Sequence, residues 1–135
     1  MNGLLLATRL VASVLAGECG HEPLEGRLAV GETVAVRMLE RRQDAVTVVT
    51  ARDQYCAWKD ARHAKAVAAE WERVNPKRWA ELMDLASHVI NGTFVISENR
   101  WNYFYRPTKG KRPPSWIQDF IRSKRIGKHL FGRIP

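Results

Sequence analysis

Residues 16–30 read A-G-E-C-G-H-E-P-L-E-G-R-L-A-V, and this stretch limits the fold more than any other part of the chain. An apolar run with helical spacing, carrying Leu6, Leu10, Val14 and Leu15, leads into it. Gly17 and Gly20 fall at the end of that run, and Pro23 suits the first turn of a new helix. The pattern predicts a buried helix over 4–19 whose end the glycines loosen, a turn, and a second helix from Pro23 to about Arg42. Glu18 sits at the junction. A carboxyl at the end of a buried helix is partly desolvated, which raises its pKa and supplies a general acid near neutral pH. Such an acid can protonate the leaving oxygen of a glycosidic bond. The plainer reading is a solvated glutamate at a helix end.

Punctuation divides the rest of the chain. Leu24, Leu28, Met38 and Leu39 give the second helix an apolar face, with Glu22 and Glu25 near its positive end. Residues 44–50 are β-branched and fit either a short strand or a short helix, and 53–59 read as a loop. Asp60 is placed to cap a helix reaching Val74. Asn75-Pro76 is a stop and restart, and the next helix runs to Ile90 before Asn91-Gly92. Residues 93–96 fit a short strand, 101–106 are aromatic, and 109–114 form a basic, proline-containing loop. Ser115 fits the cap of a short helix to Ile121, ahead of a basic tail. The expected architecture is one mainly α domain over 1–135 with minor strands.

The chain has 135 residues, 45% hydrophobic and 27% charged, within the range of one globular domain. Its net charge of +8, read as spread over the chain, favours polyanionic partners such as nucleic acid, anionic glycans or a bacterial envelope. Two cysteines, Cys19 and Cys56, allow one bridge at most and exclude a disulfide framework. With four histidines and no metal-ligand spacing, no metal and no cofactor are expected. The apolar start lacks a basic residue before Leu4–Leu6 and is interrupted by Arg9, so it reads as a helix of the fold rather than an export signal. No run reaches the length of a membrane span.

Four motifs, in order, carry a resemblance. They are E-x-x-x-E-P-x-E-G-x-x-A-V from Glu18 to Val30; Gln54-Tyr55 with Trp58; Tyr103-Phe104-Tyr105-Arg106-Pro107 followed by Ser115-Trp116; and I-G-K-H-x-F from Ile126 to Phe131. Together they resemble the SleB-type cell-wall hydrolases, the group that includes spore-cortex lytic enzymes. The resemblance implies a domain similar to lysozyme-like lytic transglycosylases. It also implies cleavage of the β-1,4 bond between N-acetylmuramic acid and N-acetylglucosamine in peptidoglycan, with Glu18 as the catalytic acid. The chain departs from the pattern at Arg106, where relatives often carry Asn, and at Val36-Arg37, where they often carry Asn-Arg. Combined with the weak export signal, it points to a bacteriophage or prophage endolysin, made in the bacterial cytoplasm and acting on the wall after release.

A two-carboxylate hydrolase needs a second acid across the cleft. Glu22 and Glu25 read as helix-start charges, and Glu32 reads equally as a cleft residue or a solvated one. That shortage favours a one-acid lytic transglycosylase over a hydrolase. Tyr103, Tyr105 and Gln54 are candidates to hold the sugar's N-acetyl group, and Tyr55 and Trp58 to line a glycan cleft. His129 matches the terminal histidine of the resemblance and reads as a hydrogen-bonding residue rather than a catalyst. Trp71 and Trp79 read as packing, and Cys19 as buried and inert. The competing readings are a basic nucleic-acid-binding module, resting on Trp, Tyr, Arg and Lys around 101–112, or a non-catalytic wall-binding protein.

Overall fold

A computed structural model describes residues 2–135. Helix α1 (Gly3–Cys19) packs against α4 (Ala61–Val74), α5 (Pro76–Asn91) and α2 (Leu24–Arg41), with the short α3 (Ala45–Thr50) against α1 and α2. Local chemistry sets the helix starts. Asn2, Asp44, Asp60 and Asn75 each accept a hydrogen bond from a backbone amide three residues on. Pro76 opens α5, and Gly92 closes it in the left-handed region at φ 73°. The capping role of Asp44 decides the ambiguous segment 44–50 in favour of helix.

The C-terminal part forms a three-stranded antiparallel sheet, ordered β1 (Tyr103–Tyr105), β3 (His129–Arg133), β2 (Arg122–Ile126). Strands β2 and β3 make a hairpin in which Ile126 faces His129 across a two-residue turn, with Gly127 at φ 58°. The tail is therefore sheet, which the sequence reading did not anticipate. Residues 93–96 form no strand, and 115–119 form a single 3-10 turn preceded by Pro114.

One core joins both parts. Val11 and Leu15 of α1, Val30 and Val34 of α2, Leu82 and Val89 of α5 and Phe131 of β3 belong to the same buried cluster. The apolar face expected for α2 holds at Met38, which packs on the core, and is corrected elsewhere: Leu24, Leu28 and Leu39 are exposed, while Ala29, Val30, Thr33, Val34 and Arg37 are buried. Helix α2 packs against α1, α3, α5 and the sheet, and small side chains allow that crowding. The glycines do not loosen α1 either. A Cβ on Gly17 would meet the Ala57 Cβ at 2.5 Å, and one on Gly20 would meet the Trp71 ring at 2.5 Å. They are the points where the 51–60 loop and α4 approach the helix. Among the described residues, no helix is long and apolar enough to cross a membrane.

Candidate active site

Glu18 occupies the last turn of α1, half-buried. The close approach at Gly17 brings the 56–57 backbone over it, and the Ala57 amide donates to Glu18 Oε1 at 2.9 Å. Burial pushes the Glu18 carboxyl above the usual carboxylate range; the amides of Ala57 and Cys56 and the charge of Arg37 oppose the shift without cancelling it. The result is a fixed, partly desolvated acid. The following turn is also fixed: Arg78 donates to the Gly20 carbonyl at 2.8 Å and Arg27 to the Glu22 carbonyl at 3.1 Å, while both guanidinium groups pair with Glu81.

Beneath the acid lies a buried polar floor. Thr33 donates to the Val30 carbonyl, and its hydroxyl lies 3.0 Å from the Tyr55 hydroxyl. Arg37, 4% exposed, is held between the Tyr55 ring at 5.0 Å and the Tyr103 ring at 4.8 Å. Its Nε donates to the Asn102 carbonyl at 2.7 Å, its Nη1 is buried with no partner, and no carboxylate pairs with it among the described residues. Arg37 entered the sequence reading only within Val36-Arg37, where the chain departs from the family pattern, and neither Thr33 nor Arg37 was given a role in the site. The readable signal was Arg37 directly after 29–36, a stretch that is small and apolar except at Glu32 and Thr33.

A third group closes the side. Glu22 is buried, and its Oε1 accepts the Lys128 amide at 3.1 Å. His129 Nδ1 lies 3.1 Å from the same oxygen, off the line of a hydrogen bond. Burial holds the His129 pKa below the usual histidine range, against the pull of Glu22. A Cβ on Gly127 would meet Glu22 Oε2 at 2.6 Å, so the hairpin turn needs glycine there for space as well as for φ. The first and last sequence motifs thus meet at this carboxylate.

The sequence pattern of the cell wall hydrolase family matches residues 21–132. The chain belongs to that family. The matched span begins beyond Glu18, so the role of Glu18 rests on its geometry and not on the match. Comparison with curated proteins and with solved structures gives no match.

For this cell wall hydrolase, the expected sugar contacts divide into two sets. Tyr55 and His129 are 3% and 6% exposed and cannot touch a sugar as they stand; they hold the floor and the side of the site. Gln54, Trp58, Tyr103 and Tyr105 are half-buried. Gln54 accepts from Arg41 at 3.1 Å, and Trp58 leans on the core while its loop carries the amides over Glu18. Tyr103 and Tyr105 share one face of β1 and pack on Trp116, the anchor of the 106–120 loop. Trp79 is buried and Trp71 half-buried, as packing residues. Both cysteines are free, and burial pushes the Cys19 thiol up to about 12, which makes it inert.

Among the described residues, no second carboxylate is hydrogen-bonded with Glu18 or shifts its pKa. Glu32, which reads from the sequence equally as a cleft residue or a solvated one, is 4% exposed; it accepts from the Ser97 amide and hydroxyl and the Trp101 amide, anchoring the 97–101 loop at the wall of a groove that does not include Glu18. Glu25 is exposed and pairs with Lys124. A groove of about 740 Å³ lies elsewhere, between α2, α5 and residues 93–101, lined by Leu24, Leu28, Leu85, Phe94 and Trp101. It is mostly apolar and does not include Glu18. Glu18 is the candidate acid because it is the partly desolvated carboxyl that general acid chemistry needs.

Proposed function

We propose that this cell wall hydrolase cleaves the β-1,4 bond between N-acetylmuramic acid and N-acetylglucosamine, with Glu18 as acid and then base. The observation that carries the reading is a half-buried carboxyl at a helix end, fixed by the Ala57 amide above a buried polar floor, where burial raises its pKa. The protonated Glu18 gives its proton to the glycosidic oxygen as the C1–O bond breaks. Glu18 is then the base. It takes the proton of the muramic 6-hydroxyl while that oxygen bonds to C1, and a 1,6-anhydro product leaves.

Lytic transglycosylation is favoured over hydrolysis because Glu22 and Glu32 are engaged by backbone amides. Arg37 adds a fixed positive charge that stabilises the Glu18 carboxylate formed midway. The half-buried Gln54, Trp58, Tyr103 and Tyr105 are the proposed sugar contacts. A lysozyme-like arrangement of the cleft and an endolysin role go with this reading. Treating the released fragments with borohydride tests the reaction type: 1,6-anhydro ends resist reduction, whereas hydrolysis leaves ends that are reduced. Complete reduction would contradict transglycosylation.

A further inference from the structure

The net charge is not spread over the chain. Residues 99–135 hold ten of the 22 Lys and Arg residues and one of the 14 carboxylates, which leaves the helical part close to neutral. The sheet and its loops therefore carry the whole excess of +8. Strand β2 is an edge strand exposed along Arg122–Arg125, with only Ile126 buried. Cations on an edge commonly prevent sheet-to-sheet pairing. Here they continue past the edge. Arg122, Arg125 and Lys128 run along the strand and its turn, and Arg106, Lys109, Lys111 and Arg112 stand on the loop after β1. All seven are exposed, and among the described residues none pairs with a carboxylate.

We propose that this basic lobe is a docking surface for a phosphodiester-linked anionic polymer of the cell wall, in addition to the glycan strand at Glu18. The proposal rests on the cell-wall reading above. Arg122 donates to the Asn99 carbonyl and Arg125 to the Gly127 carbonyl, on opposite faces of the strand, and neither bond neutralises their charge. A polymer with one phosphate per repeat presents recurring single charges, which such dispersed cations meet without fixed register. Single-stranded nucleic acid fits less well, because base stacking needs free ring faces. The aromatic side chains of this lobe are occupied with one another: Trp116 lies 5.2 Å from Tyr103 and 5.6 Å from Phe120, and Phe120 covers Gly132.

The test uses the full chain carrying Glu18→Gln, so that binding is read without cleavage and an error in the reaction assignment leaves it untouched. Sedimentation with walls bearing a polyol-phosphate polymer is compared with the same walls stripped of it by acid, across a salt series. The expected result is binding at least tenfold tighter to the polymer-bearing walls, weakening steadily as salt rises. Adding Arg122→Gln, Arg125→Gln and Lys128→Gln lowers that binding about tenfold or more and flattens the slope. The charge-conserving Arg122→Lys/Arg125→Lys protein keeps both. Equal binding to bearing and stripped walls would overturn the proposal, as would an unchanged salt slope in the neutralised variant. Tighter binding to single-stranded DNA than to the soluble polymer at the same salt would overturn the choice of partner.

Discussion

The Glu22 carboxylate accepts the Lys128 amide at 3.1 Å, which ties the start of α2 to the turn of the terminal hairpin across nearly the whole chain. Glu22→Ala leaves that part-buried amide without its acceptor and is expected to cost about 1–2 kcal/mol. Glu22→Gln keeps an acceptor and costs less. Urea unfolding of the two variants measures the difference.

His129 shares this contact, and burial depresses its pKa. The folded protein then binds fewer protons than the unfolded chain, so the stability that neutral His129 provides is present above about pH 6.5 and is lost as pH falls. The fall in Tm between about pH 7 and pH 5 is expected to be smaller in His129→Gln than in the wild type.

Glu18 has the opposite sign. Its folded pKa is raised, so its ionisation destabilises the fold as pH rises through that value. Glu18→Gln keeps the acceptor for the Ala57 amide and removes the charge. Its Tm is expected to exceed that of the wild type at neutral pH, and the gap to close below the ordinary carboxylate range. Activity of the wild type falls on the alkaline side as the acid loses its proton.

Arg37 opposes the shift at Glu18 through its charge. Replacing Arg37 by Met is expected to move the alkaline limb of the pH–rate profile upward, and Arg37→Lys to return it towards the wild type. A purely structural role would lower activity at every pH without moving the limb.

Glu32→Ala leaves the amides of Ser97 and Trp101 without an acceptor. The expected cost is about 2–4 kcal/mol in urea unfolding, with cleavage retained at low temperature where the variant stays folded. Loss of cleavage in a folded variant would restore Glu32 as a second carboxylate.

The helices were legible because caps and breaks are local: Asp60, Asn75-Pro76 and Asn91-Gly92 act on their own neighbours. The sheet was not, because the 122–133 hairpin alternates weakly and its pairing depends on Phe131 and Ile126 reaching a core built by distant helices. The place of Glu18 at the end of a buried helix was readable from the apolar run before it and the turn residues after it. The floor was not, since Thr33 and Arg37 acquire their roles only when Tyr55 and Tyr103 fold against α2 from far along the chain. Likewise Glu32 looked free until residues 97–101 supplied its donors.

The most direct test of the central claim is mass analysis of fragments released from purified peptidoglycan by the wild type and by folded Glu18→Gln. The account predicts muramic-ended fragments from the wild type and none above background from Glu18→Gln. Cleavage by Glu18→Gln at more than about a hundredth of the wild-type rate, within the range that loss of an acid–base group produces, would contradict Glu18 as the acid.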